Sequence, residues 1–484
     1  MIISNNEKFG EIQFDGELIL EEDVKRKILQ IQELLNSNIL GKKERITVAL
    51  ILSRSPLQMI AILAMLAARV TYVPISEMQP DARIKYILFD AEVDFVLVDN
   101  STCNINTFGI KKINIESEQI LKKNMKKEYI GNEVAYILYT SGTTGKPKGV
   151  EIYRRSLRIF KESICNRLDI CQHDIIVSFT NYEFDIFFLE TIVFYLCGNR
   201  IVIASQREKS SPMKMKGLIV QSKATIMQST PSMIEYLQLA DARFMSLKGI
   251  KKLLIGGERL SFSLLNELKN IEDMNIYNLY GPTETTIWVT CGELSNSEDV
   301  NVGKPLDDVK IIIVSEQGDV IQSESADQRG EVYISGPLLA KGYKNNPNLT
   351  KEKFVLNDNE LYYKTGDIGF YNKDGCIVIV GRLDNQIKIN GHRVELEEIE
   401  QILKNYKEPI NASVYYDKER YGLIVFYQGK FNEMQIKRII KNNLPYFMMP
   451  NRVVKIDDLC YTSTGKVDRT RIFEEWKWKG EVNA

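Results

Sequence analysis

The sequence predicts an α/β protein in two parts. A large N-terminal domain of layered, mostly parallel sheets carries an added antiparallel β unit, and a small α+β domain follows it. Three observations lead there. The chain has 484 residues, beyond the roughly 250–300 at which a single hydrophobic core stops growing. Apolar segments alternate between helix-like and strand-like spacing from Leu18 to Gly256, which is the pattern of βαβ units. The texture then changes near Val309 and again after Asp384, placing the domains at 1–383 and 384–484.

Residues 18–38 (LILEEDVKRKILQIQELLNSN) repeat apolar positions every three or four residues between charges, as an amphipathic helix does. The strand ITVALIL leads into Pro56 and the helix LQMIAILAMLAA. A short strand at Thr71 to Ile75, a helix through Tyr86 and Leu88 and the strand FVLV at Phe95 complete a β-α-β-α-β order. Alternation returns with IIVSF, the apolar run IFFLETIVFYLCG, RIVIAS, TIMQ and KLLIG. From about Val309, short strands separated by turn residues (KIIIVSEQGDVI, GEVYISG, LYYKTGDIGFYNKDGCIVIVGR) predict an antiparallel unit ending near Gly381. Beyond Asp384 come a capped helix VELEEIEQILKN, strands SVYY and GLIVFY, and a helix NEMQIKRIIKNNL.

Lys and Arg total 63 against 64 for Asp and Glu, a formal charge of −1. That balance excludes nucleic-acid binding as the main activity, since phosphate backbones are held by a surplus of basic residues. The most lipid-like stretch, Met59 to Ala68, is closed by Arg69; at about 10 residues it falls short of the ~20 needed to span a membrane. A buried helix and no membrane partner are expected. The N-terminus carries acids early and no basic start before an apolar core, so a cytoplasmic location is expected. Seven cysteines stand singly, with only His173 and His392 to accompany them, which argues against structural zinc and a disulfide framework.

The chemical signal of the chain is YILYTSGTTGKPKGV at 136–150, an apolar strand running into glycines, four hydroxyl residues and two lysines. Glycines let backbone N–H groups converge on an anion, hydroxyls add donors and lysines neutralise charge, a set suited to a triphosphate tail. It is not a Walker A loop, which has Gly and Ser or Thr where Thr140 and Pro147 stand here.

TSGTTGKPKG resembles the phosphate loop of the adenylate-forming superfamily, in particular the adenylation domains of nonribosomal peptide synthetases. Five further strings follow in that family's order: RSPLQMIAILAMLAARVTYVPIS at 54–76, NLYGPTETTIW at 278–288, YKTGDIG at 363–369, GRLDNQIKINGHRVELEEIE at 381–400 and TSTGKVDR at 462–469. Ala68-Arg69-Val70 departs from the family's common Ala-Gly-Gly, in a segment expected to be scaffold.

The resemblance implies ATP and Mg²⁺ as cofactors and a carboxylate attacking the α-phosphorus, so catalysis is positioning plus charge neutralisation. Thr140, Ser141, Gly142, Thr143, Thr144, Gly145 and Lys148 are then expected at the β- and γ-phosphates, Glu284 at Mg²⁺ and Thr283 at the α-phosphate. Tyr280 is expected to face adenine and Asn278 to meet its exocyclic nitrogen, with Gly256, Gly257 and Gly281 allowing close approach. Asp367 would accept from the ribose hydroxyls with Arg382 behind it, and Lys466 would reach the carboxylate and α-phosphate. The family also forms a thioester after its small domain turns about a hinge. Asp384 matches that hinge, and Gly391 the channel for a phosphopantetheine thiol. His392 is expected to be structural or to lie near that channel. With no carrier region in the chain, a separate carrier protein is the implied partner.

Asp185, in NYEFDIFFLE with Glu190 behind it, stands where amino-acid-activating members keep an acid for the substrate ammonium. It favours an amino acid over the substrates of acyl- or aryl-CoA ligases. A D-alanine–carrier protein ligase is a second alternative. A catalytically inactive binding module is expected to lose Lys466, Glu284 or Asp367, and all are present. At the family's pocket-lining positions stand Asp185, Ile186, Leu189, Gln228, Leu254, Gly256, Leu279, Ile287, Trp288 and Lys466, a string resembling that of glycine-activating domains. Glycine is the expected substrate.

Overall fold

The computed structural model describes residues 9–38, 45–117, 132–142, 145–323, 325, 327–389, 391–417, 422–461 and 467–482. The chain divides into two compact units. The first is Met1–Glu77, Leu88–Leu138 and Gly149–Leu383; the second is Met78–Ile87, Tyr139–Lys148 and Asp384–Ala484. Two segments that the sequence places within 1–383, one of them most of the phosphate loop, therefore cluster with the C-terminal residues.

Among the described residues the first unit builds a nine-stranded sheet with a parallel centre. Its parallel run is Asn275–Tyr280, Lys252–Gly256, Ile226–Ser229, Ile175–Ser178, Arg200–Ile203 and Glu11–Phe14. Thr290–Glu293 and Glu17–Ile19 add antiparallel strands at its two sides. A second sheet orders Lys111–Asn114, Phe95–Val98, Thr47–Ile51, Thr71–Pro74 and Val134–Thr140 in parallel. These strands read as apolar runs because parallel sheets are covered on both faces; Ile226–Ser229 and Thr71–Pro74 are buried throughout. The helix Pro56–Ala67 is likewise buried along nearly its whole length. No helix among the described residues is long and apolar enough to cross a membrane. After this helix Arg69 takes φ +56°, a left-handed conformation that glycine adopts without strain. The antiparallel unit expected from Val309 begins at Lys310 and is organised around the long strand Glu360–Tyr371.

The apolar run IFFLETIVFYLCG is a helix with a widened turn, π-helical over Phe188–Val193 and α-helical over Phe194–Leu196. Such insertions are frequent at functional sites. It is buried at every position from Phe187 to Leu196.

In the second unit a hairpin pairs Gln386–Ile389 with His392–Glu395, and Gly391 takes φ +79° where it turns. The helix expected from Val394 starts instead at Leu396, because Val394 and Glu395 complete the hairpin opposite Ile387 and Gln386. Three strands, Ala412–Asp417, Gly422–Tyr427 and Arg452–Lys455, carry the helices Leu396–Lys404 and Glu433–Asn443. The latter is capped reciprocally by Asn432 and Gln435. Val394, Ile399, Leu403, Val425, Ile436 and Ile440 form the core here.

Candidate active site

In the first unit, the strands Asn275–Tyr280 and Glu360–Tyr371 bring Tyr280 and Asp367 together. The Tyr280 hydroxyl donates to Asp367 Oδ2 at 2.6 Å, and Arg382 Nη1 donates to Oδ1 at 2.5 Å. Arg382 reaches across because its strand pairs antiparallel with that of Asp367, residue opposite residue. Asp367 is 8% exposed, and its own N–H is held by Thr365 Oγ1. Burial and the Asp367 charge push the Tyr280 phenol well above its ordinary range. Asn278 donates its amide to the Asn301 carbonyl at 2.8 Å, which turns Oδ1 into its acceptor end.

Beyond this strand the chain makes a tight 3-10 turn, Thr283–Thr285, and then two consecutive residues with positive φ, Thr286 at 61° and Ile287 at 69°. Two such angles outside glycine cost of order 1–3 kcal/mol each. The turn buries the Glu284 carboxylate completely, and the Tyr343 hydroxyl donates to its Oε1 at 2.7 Å. The turn also swings Trp288 back over the sheet. A Cβ on Gly281 would lie 2.5 Å from the Ile287 carbonyl oxygen, so glycine is required where the chain crosses itself.

Strand register explains how the pocket residues meet. Gln228 pairs with Leu254, and Gly256 two residues on pairs with Leu279. Side chains two apart share a face, so all four line one surface of the sheet. Trp288 stands on that surface: a Cβ on Gly256 would lie 2.7 Å from its ring. Gly257, at φ +85°, borders Thr230 and Ile186. Leu189, Leu254, Leu279 and Ile287 are buried. Gln228 is 1% exposed, and neither end of its amide has a hydrogen-bond partner among the described residues; the Trp288 indole N–H and Thr290 hydroxyl are buried in the same condition. Buried orphan groups of this kind require a ligand or ordered water.

Asp185 is half-buried at the start of the widened helix, where its carbonyl accepts from the Phe188 N–H. Its charge adds to burial in raising the Tyr72 and Tyr136 phenols. The turn carrying it is anchored behind. Glu190 accepts from the Ser178 hydroxyl at 2.8 Å, the Thr180 N–H at 3.0 Å and the Thr180 hydroxyl at 2.5 Å. Arg54 donates to the carbonyls of Ala204, Thr180 and Ser178. Burial raises the Glu190 carboxyl and lowers Arg54 to about 10, while their opposite charges partly offset both effects.

The loop expected to hold phosphates falls in the second unit. Thr140 ends a strand, and its buried hydroxyl has no hydrogen-bond partner among the described residues. Gly142 allows a tight closure, since a Cβ there would meet the Lys146 carbonyl oxygen. Gly145 has φ +80° and abuts Gln401. The loop's donors engage protein acceptors: the Gly142 N–H donates to Glu398 Oε2 at 3.2 Å and the Ser141 hydroxyl to the Arg393 carbonyl at 2.8 Å. Glu398 is fully buried, with Arg83 Nη1 2.7 Å from its other oxygen. Lys148 and Arg393 oppose the burial that raises the Glu395 carboxyl. His392 stacks on Phe447 with centroids 3.8 Å apart, and Asp384 is exposed, its Oδ1 accepting from the Gln386 N–H. Thr143, Thr144 and Lys466 lie outside the described residues. The parts played by Arg83, Glu398 and Tyr343 carry no sequence signal of their own, because each acts through a partner distant in the chain.

Residues 22–344 match the AMP-binding enzyme family. The chain is 33% identical over 452 residues to bacitracin synthase 3 of Bacillus licheniformis, covering 88% of this chain and 7% of that protein. It is 32% identical over 478 residues to gramicidin S synthase 1 of Brevibacillus brevis, covering 95% and 42%. It therefore spans less than half the length of these curated relatives. The fold is shared, at TM-score 0.82 and 23% identity over 97% of this chain and 95% of the other, with the Vibrio cholerae adenylation domain AlmE in complex with glycyl-adenosine-5'-phosphate.

Proposed function

The chain belongs to the AMP-binding enzyme family, and from that premise we propose that it adenylates glycine and passes it to a separate carrier protein. The observation that carries the choice of substrate is the Trp288 ring packed over Gly256, on the face shared with Gln228, Leu254 and Leu279. Protein atoms fill the volume a larger side chain would need. Exclusion by overlap is sharp, whereas a roomy pocket separates neighbouring substrates by only about 1–3 kcal/mol per methylene. The uncharged lining also disfavours acidic and basic side chains, which would be buried unpaired.

In the first step a glycine carboxylate oxygen bonds to the α-phosphorus of ATP as the bond to the β-phosphate oxygen breaks and pyrophosphate leaves. Asp185 pairs with the substrate ammonium. Asp367 receives the ribose hydroxyls, with Arg382 holding its position, and Asn278 Oδ1 accepts from the adenine amine. Thr283 and Lys466 contact the α-phosphate. The orphan hydroxyl of Thr140 and the N–H of Gly142 fit the outer phosphates, and binding there displaces Glu398 from Gly142. Glu284, a buried carboxylate steadied by Tyr343, fits Mg²⁺, an ion that takes most of its ligands from phosphates and water; its charge offsets that of the triphosphate. In the second step the carrier's phosphopantetheine sulfur, its proton lost, attacks the glycyl carbonyl and AMP leaves. We assign 1–383 and 384–484 as the domains, Asp384 as the hinge and Gly391 to the thiol channel.

Amino-acid-dependent ATP–pyrophosphate exchange tests this with glycine, both alanine enantiomers, serine, cysteine and leucine. Glycine is expected to give the highest kcat/KM, alanine less and leucine none. D-alanine exceeding glycine by about tenfold would replace the reading with a D-alanine–carrier protein ligase, and leucine doing so would refute the pocket assignment.

A further inference from the structure

We propose that Cys165 and Cys197 form an oxidisable dithiol that closes to an intramolecular disulfide. Cys165 lies near the end of the helix Arg154–Leu168, and Cys197 follows the helix Phe194–Leu196. Although 32 residues apart in the chain, their Sγ atoms are 3.0 Å apart, within about 1 Å of the disulfide bond length of about 2.05 Å. Both side chains are half-buried, neither sealed in the core nor loose in solvent. Cys103, Cys171 and Cys460 instead bond to backbone or carboxylate oxygens.

The hydrogen bond to Cys197 and burial push the Cys165 thiol far above its usual range. Thiolate, rather than thiol, is the attacking species, and the 3.0 Å approach places each sulfur within reach of the other once one of them has reacted. With a low-molecular-weight disulfide as oxidant, one of the two sulfurs loses its proton and attacks one oxidant sulfur, expelling the other as a thiol. The second cysteine then loses its proton and attacks the first one's Sγ in the mixed disulfide, expelling the second thiol. Two protein thiols have lost two electrons and two protons, and the oxidant's S–S bond has been reduced to two thiols. The bridge ties the segment carrying Leu189 and Glu190 to the helix Arg154–Leu168, and a thiol reductant releases it. This inference stands independently of the glycine reading.

The test treats the whole protein with glutathione disulfide, alkylates the remaining thiols and maps peptides without reduction. A linked peptide containing Cys165 and Cys197 is expected as the first product, with loss of two alkylatable thiols that dithiothreitol restores. In Cys165→Ala a glutathione adduct on Cys197 is expected to persist. The proposal is overturned if exposed Cys171 accumulates adduct while Cys165 and Cys197 alkylate fully. An adduct on Cys197 that persists in the wild-type chain without forming the link would overturn it equally.

Discussion

At the group proposed to hold the nucleoside, in the first unit, Asp367 is flanked by Arg382 and Tyr280, and Asn278 is pinned by Asn301. At the phosphate loop, in the second, the Gly142 N–H and Ser141 hydroxyl serve Glu398 and the Arg393 carbonyl. The first group rests on hydrogen-bonded strands, and its polar ends are oriented by neighbours that need not move when a ligand arrives. That is preorganisation, which lowers the cost of binding. The second spends one donor, the Gly142 N–H, on a carboxylate, chemically the nearest thing a protein has to a phosphate, and the other on a backbone carbonyl. The lesson is that a glycine-rich anion loop can be held in shape by an internal anion, and its ligand must then compete with that anion.

The largest effect should come from removing the internal anion. Glu398→Ala leaves Arg83 buried without its charge partner and should cost about 3–5 kcal/mol of stability in denaturant unfolding. The pair Arg83→Met with Glu398→Met should recover most of that loss. A double variant as unstable as the single one would mean the two residues do not act as a pair, and the contrast between the regions would fail.

At the nucleoside group Asp367→Ala should preserve the fold and weaken ATP use by about 3 kcal/mol, roughly 150-fold in kcat/KM, the upper range for charged hydrogen bonds. Circular dichroism and exchange kinetics read the two halves of that statement. Unfolding would show that Asp367 is structural. Asp185→Ala extends the contrast to the amino-acid end: about 1.5–3 kcal/mol, more than tenfold, should be lost in glycine KM with ATP KM unchanged.

The smallest effect concerns pH. The Glu395 carboxyl is raised by burial, opposed by Arg393 and Lys148. A raised carboxyl holds its proton more tightly folded than unfolded, so folding is favoured at low pH and loses stability as pH climbs through the folded-state value. Glu395→Gln should therefore be more stable than wild type near neutrality, and the gap should close below the usual glutamate range. A gap that widens in acid would contradict this. Comparing urea midpoints across pH measures it.

Much of this was legible in the chain itself. Short apolar runs located the parallel strands and the helix Pro56–Ala67, which are covered on every side, and the 3.6-residue spacing of a one-sided buried face located the helices Glu21–Asn38 and Glu433–Asn443. Patterns over a few residues could not say that Val394 and Glu395 belong to a strand. Their alternation also suits a helix, and only the pairing with Gln386 and Ile387 decides. The π-helical turn at Phe188–Val193 has no periodic signature in a run apolar on every side.

By itself the sequence determined the layered α/β class, the antiparallel unit after Val309 and the glycine- and hydroxyl-rich make-up of the loop after Thr140. Each depends on residue kind and short-range spacing. Tertiary structure alone decided that the Trp288 ring lies over Gly256, that Gln228 aligns with Leu254, that Glu398 meets Gly142 and Arg83, and that Cys165 approaches Cys197. Such contacts join residues tens to hundreds of positions apart, and their geometry is set by strand register and helix packing rather than by any local preference of the residues that touch.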